Sequence, residues 1–235
     1  MIYLNAAATT LQKPPQVAAA VLAAMRSFSS FGRGGSAAES RAEDAVYRCR
    51  CAAASLFDAA PAQVVFTMNA THALNIAVHT LVHPGDEVVI SGFEHNAVWR
   101  PLTAAGANLR IAGRKLFDPD DTLSAFDAAI TARIKAVFCT HVSNVFGYIL
   151  PVEQIAALCR ARGIPFVLDA SQSAGSLPVS LRALGAAFIA MPGHKGLYGP
   201  QGTGILLCGM RPEPLISGGT GSLSRLPVMP EQLPD

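Results

Sequence analysis

Ala190-Met191-Pro192-Gly193-His194-Lys195-Gly196-Leu197-Tyr198-Gly199-Pro200 follows an apolar run, Ala186 to Met191, that reads as a buried strand. A second apolar run, Pro165 to Leu168, leads into Val167-Leu168-Asp169-Ala170-Ser171-Gln172. Strands that lack the apolar–polar alternation of a half-exposed sheet are covered on both faces. Working outward, β-rich runs fall at 64–67, 88–91, 136–140, 166–169, 188–191 and 204–208. Helical periodicity falls at 15–27, 37–57, 71–81, 97–105, 123–132 and 152–162. This alternation predicts an α/β protein with three layers, α/β/α, around a mostly parallel sheet. Sheets of that kind carry ligand groups at the carboxyl ends of their strands. Asp169 and His95 obey that rule, and Lys195 lies just past a strand end.

The chemistry begins with Lys195. A lysine at a strand end, poorly solvated, loses proton affinity and can attack a carbonyl as the free amine. Taken alone, a lysine among glycines could equally mark a solvated turn. Paired with Asp169 it acquires a specific meaning. Pyridoxal phosphate (PLP) needs a lysine for its Schiff base and a carboxylate to keep the pyridine nitrogen protonated.

Further segments extend the pattern. They are Ile2-Tyr3-Leu4-Asn5-Ala6-Ala7-Ala8-Thr9-Thr10, Phe66-Thr67-Met68-Asn69-Ala70-Thr71-His72-Ala73-Leu74-Asn75, Phe93-Glu94-His95-Asn96-Ala97-Val98, His141-Val142-Ser143-Asn144-Val145-Phe146-Gly147 and Ser217-Gly218-Gly219-Thr220-Gly221-Ser222. With these motifs in this order, the chain resembles the PLP-dependent class V aminotransferases, and within them the cysteine desulfurases and selenocysteine lyases. The resemblance implies the large domain of PLP fold type I, like that of aspartate aminotransferase. It implies that Lys195 forms the Schiff base and moves the substrate proton, and that Asp169 pairs with the pyridinium nitrogen. Gln172 would bond the phenolate oxygen, His95 would stack on the ring, and Asn144 would lie near the phenolate and the substrate carboxylate. Thr71 and His194 would reach the phosphate. The reaction implied is carbon–sulfur or carbon–selenium lysis of an amino acid such as L-cysteine, in a homodimer, with sulfur passed to an acceptor protein. A transaminase, another β-lyase of the same family, or a PLP-binding remnant without turnover are the alternatives.

The residues around those motifs are consistent with these roles. Thr71 follows one strand and opens an apolar-periodic segment, so its hydroxyl sits at a helix N-terminus, a natural phosphate site; it could also simply cap that helix. His95 follows the strand 87–91 in a short loop, where its ring can lie over a flat ligand.

Some positions depart from the family pattern. Asn5-Ala6 stands where Asp-Asn is usual, and Pro192 replaces a serine that often contacts phosphate; proline offers neither hydroxyl nor N–H. The family continues past the position of Asp235 into a small C-terminal domain that supplies a persulfide-forming cysteine and a carboxylate-binding arginine. The expectation is therefore that residues 1–235 form the PLP-binding large domain with its N-terminal arm, and that the small domain is absent.

Composition bounds the rest. The 235 residues fit one large domain, and the net charge of +2 with no basic run gives no reason to expect nucleic acid. Although 51% of the residues are hydrophobic, no apolar run is long enough for a membrane span, and the chain opens directly on the Ile2 motif. A soluble cytoplasmic protein is expected. Cys49, Cys51, Cys139, Cys159 and Cys208 show neither a disulfide framework nor zinc spacing. Cys139 and Cys208 end apolar runs and read as strand-core thiols. His79 and His83, four apart, could share a helix face but lack a third ligand. The glycine-rich Gly199–Gly204 stretch fails both the phosphate-loop and the dinucleotide patterns.

Overall fold

The computed structural model describes residues 2–31 and 35–218. Most of the glycine-rich linker 32–36 and the distal part of the 217–222 motif lie outside them. Among the described residues seven strands form one sheet: β1 (Val64–Thr67), β2 (Glu87–Ser91), β3 (Asn108–Ala112), β4 (Ile134–Thr140), β5 (Phe166–Asp169), β6 (Phe188–Pro192) and β7 (Gly204–Cys208). Their spatial order is β1-β7-β6-β5-β4-β2-β3. The pairings β6/β5, β5/β4, β4/β2 and β2/β3 are parallel, whereas β7 runs antiparallel to both β6 and β1. The connection 193–203 is too short for a helical crossover, so β7 can only return antiparallel.

The helices are α1 (Pro15–Ser27), α2 (Ala37–Leu56), α3 (Ala70–Leu81), α4 (Asn96–Ala104), α5 (Pro119–Ala129), α6 (Val152–Ala161) and the single turn α7 (Leu181–Leu184). Side chains alternate across the sheet with a period of two, which divides the core into two layers. From the central strands, Val137, Cys139, Leu168, Ile189 and Met191 face the layer that also holds residues of α2, α5 and α6. Ala136, Phe138, Val167, Phe188 and Ala190 face the layer built with α3 and α4. The three-layer, mostly parallel architecture follows, and Cys139 and Cys208 are buried as expected.

Three readings need correction. Strand β3 is absent from the sequence pattern because it is an edge strand whose Asn108 and Arg110 alternate with apolar residues; Arg110 pairs with Glu87 of β2. Helix α5 starts four residues earlier than expected, because Asp118 caps it by accepting from the Asp121 N–H at 3.0 Å and Pro119 occupies its first position. His83 does not share a helix with His79: α3 ends at Leu81, and His83 turns toward Asp86, with Nδ1 3.7 Å from a carboxylate oxygen. No group of three metal-ligating side chains occurs among the described residues.

Candidate active site

The carboxyl ends of β1, β2, β4, β5 and β6 open on one edge of the sheet. There a cavity of ≈ 210 Å³ is lined by Thr71, His95, Asn144, Asp169, Gln172, His194 and Lys195, together with Ala8, Asn69, Thr140 and Pro192. All seven residues singled out in the sequence meet at this one cavity.

Lys195 sits in the turn that follows β6. This turn is closed by a Tyr198 N–H bond to the Lys195 carbonyl at 2.9 Å and a Gly199 N–H bond to the Gly193 carbonyl at 2.7 Å. Glycine is required there by close approach: a Cβ on Gly196 would lie 2.3 Å from the Ala174 carbonyl oxygen. Burial lowers the basicity of Lys195 below that of a solvated lysine, opposed by attraction to Asp169. Asp169, the last residue of β5, is buried. Its Oδ1 accepts the Ser171 N–H at 2.9 Å, while Oδ2 makes no hydrogen bond among the described residues.

His95 is the N-cap of α4. Its Nδ1 accepts the Ala97 N–H at 3.0 Å, so the neutral ring carries its own proton on Nε2. Thr71 lies in the first turn of α3 but does not cap it. Asn69 does, through Oδ1 accepting from the His72 N–H at 2.8 Å, and the Thr71 hydroxyl keeps no protein partner among the described residues. Asn144 is exposed in the loop after β4, which Ser143 and Tyr148 pin with an N–H to carbonyl bond of 2.9 Å.

The N-terminal segment straps the opposite rim, a contact the sequence did not disclose. The His194 carbonyl accepts from the Thr10 N–H and from the Thr9 and Thr10 hydroxyls, each at 3.1 Å. His194 Nδ1 meets Thr9 Oγ1 at 3.0 Å, and Gln172 Nε2 donates to the Ala7 carbonyl at 3.0 Å. Burial, then the charges of Lys195 and Lys13, holds His194 below the usual histidine range. One amide proton of Gln172 is thus committed to the strap and the other remains for a ligand.

Glu94, beside His95, is a second residue that sequence reasoning missed. Its Oε1 accepts from the Thr140 N–H at 2.7 Å and from the Ser91 hydroxyl, tying the end of β2 to the end of β4. Its Oε2 is sealed from solvent without a partner among the described residues. Burial pushes the carboxyl up to about 8, against the two hydrogen bonds and aided by the Asp169 charge.

A lysine of depressed basicity and a buried acid are set beside a helix N-terminus on the carboxyl edge of an open α/β sheet, where proteins of this fold class place their ligands. The pattern of the class-V aminotransferases matches residues 2–221, and the chain belongs to that family. It is 34% identical over 229 residues to a probable cysteine desulfurase of Methanothermobacter thermautotrophicus, covering 93% of this chain and 56% of that protein. Among solved structures, the apo cysteine desulfurase of Thermococcus onnurineus NA1 superposes with a TM-score of 0.84 at 31% identity, covering 93% of this chain and 57% of that one. A mutant of C-DES with glycine covalently linked to its PLP cofactor gives a TM-score of 0.79 at 25% identity, covering 88% and 56% respectively. The chain therefore spans about half the length of the relatives it matches.

Proposed function

We propose that this chain is the PLP-binding part of a cysteine desulfurase-type enzyme, with L-cysteine as substrate and an acceptor protein for the sulfur. The observation that carries the reading is the meeting of Lys195, Asp169 and His95 with a helix N-terminus in one cavity. The donor set fits PLP group by group: an amine of lowered basicity for the aldehyde, a free carboxylate oxygen for the pyridine nitrogen, and hydroxyl and amide donors for the phosphate. When bound, the cofactor supplies an electron sink for the bond-breaking at the amino acid.

The protein's own contribution is positional and protonic. Asp169 Oδ2 would hold the ring nitrogen's proton, and the Ser171 amide on Oδ1 orients the carboxylate. His95, its Nδ1 fixed by the Ala97 amide, would lie against the ring. Thr71, His194 and the first amides of α3 would take the phosphate, with Asn69 ordering that helix end. Gln172 and Asn144 would contact the polar edge of the ring. Lys195 Nζ, less basic than a solvated lysine, can accept and return the substrate's α-proton.

Support for a homodimer comes from α1, which buries none of its residues although Val21, Leu22 and Met25 are apolar and exposed. Five free cysteines favour the reducing cytoplasm. A PLP-binding function without turnover is the second reading, and it is favoured by one observation: no cysteine lines the cavity among the described residues.

The direct test is borohydride reduction of PLP-loaded protein followed by peptide mapping. We expect the label on Lys195 and none in Lys195→Ala. An undiminished label in that variant would overturn the assignment. A monomer by light scattering at all concentrations would remove the dimer.

A further inference from the structure

On the far side of Thr71 and His95, a second cavity of ≈ 360 Å³ adjoins the one described above, with Thr71, His95 and Ala97 lining both. Its remaining polar lining is Asn75, Asn96 and Arg100. Asn75 donates Nδ2 to the Thr71 carbonyl at 2.8 Å, which fixes it against α3. Arg100 is exposed and has no carboxylate, carbonyl or aromatic partner among the described residues. Among the described residues no acidic side chain lines this cavity. The Thr71 hydroxyl, His95 Nε2 and the Arg100 guanidinium are thus donors without protein acceptors, gathered on one concave surface beside the reaction site.

We infer that this cavity is an anion subsite, in which Arg100 holds a phosphate or carboxylate belonging to the ligand in the main cavity. A planar guanidinium presents paired N–H donors matched to either group. Arg100 stands on the second turn of α4, the helix that His95 caps, and lines the same cavity as that residue. Arg100 is then a positioning and specificity residue rather than a proton carrier. The two sources of the anion are the cofactor's phosphate and the amino-acid substrate's carboxylate. The second source rests on the proposed function, whereas the subsite itself does not.

The test uses the purified chain with Arg100→Ala and Arg100→Lys, both at an exposed position, with folding checked by circular dichroism. Binding of inorganic phosphate, acetate, PLP and phosphate-free pyridoxal is titrated by NMR and absorbance. PLP-loaded protein is then titrated spectroscopically with L-cysteine and with cysteamine, which lacks the carboxylate. We expect Arg100→Ala to lose about tenfold in affinity for the anions, with Arg100→Lys recovering part of it. A loss for PLP but not pyridoxal identifies the phosphate; a loss for L-cysteine but not cysteamine identifies the carboxylate. Phosphate binding that depends on Arg100 in a protein that binds no PLP would sustain the subsite and end the cofactor reading. Unchanged titrations in Arg100→Ala, with PLP still fixed on Lys195, would overturn the subsite alone.

Discussion

Glu94 illustrates how a single side chain links the fold to pH. Its carboxyl is protonated in the folded state up to about 8, against 4.5 when solvated. Below 4.5 both states hold the proton and Glu94 is neutral to stability. Between 4.5 and about 8 unfolding releases that proton, so stability falls as pH rises, by at most about 1.4 kcal/mol per pH unit. Glu94→Gln, which keeps the shape and the acceptor for the Thr140 amide, should flatten that slope. Thermal melts of both proteins from pH 5 to 9 measure it, and parallel pH profiles would show that Glu94 does not carry this cost. The residue also shows the limits of legibility at this scale. Lys195 and Asp169 stand out because each lies at or just past the end of an apolar run. Glu94 has an ordinary sequence context, and only the arrival of the Thr140 amide from another strand reveals its burial.

At the scale of elements, backbone contact between the turn after β5 and the turn after β6 sets the distance between Asp169 and Lys195. Gly196 permits that contact. In Gly196→Ala the new Cβ would meet the Ala174 carbonyl oxygen, a backbone atom that cannot rotate away. We expect a loss of about 1–3 kcal/mol in urea unfolding and a larger proportional loss of PLP affinity, because the lysine turn must shift. Wild-type affinity in this variant would show that the turn has slack. Several elements could be placed from their ends alone. Helix α1 begins at Pro15, and α2 begins after Ser36, which forms a capping box with Glu39. Helix α3 begins after a capping Asn69, not at a capping Thr71, and this frees the Thr71 hydroxyl for a ligand. Strand β3 was illegible because its identity depends on pairing with β2 rather than on its own apolar content.

Across the whole molecule, the positions of the thiols bear on turnover. Cys139, Cys159 and Cys208 are buried, and burial raises all three thiols, Cys159 and Cys208 to about 12. Cys49 and Cys51 lie on α2, away from the cavity lining. A thiol that takes sulfur must be accessible and readily ionised. We therefore expect residues 1–235 to release little or no sulfide from L-cysteine, even loaded with PLP and supplied with reductant. Robust release, lost in Lys195→Ala, would mean that one of these five cysteines, or none at all, suffices. The described residues contain no helix long and apolar enough to cross a membrane.

The sequence by itself determined the layers, six of the seven strands and the residues that line the cavity at the strand ends. Burial on both faces leaves an unbroken apolar run, and a lysine and an aspartate just beyond such runs are visible without coordinates. The tertiary structure alone decided the pairing of β7 with β1, the edge strand β3, the strap of residues 7–10 over Gln172 and His194, and the lack of a partner for Arg100 among the described residues. Each of these depends on where one segment lies relative to another. Hydrogen bonds, close backbone approaches and missing partners of that kind leave no mark in the local pattern of either segment.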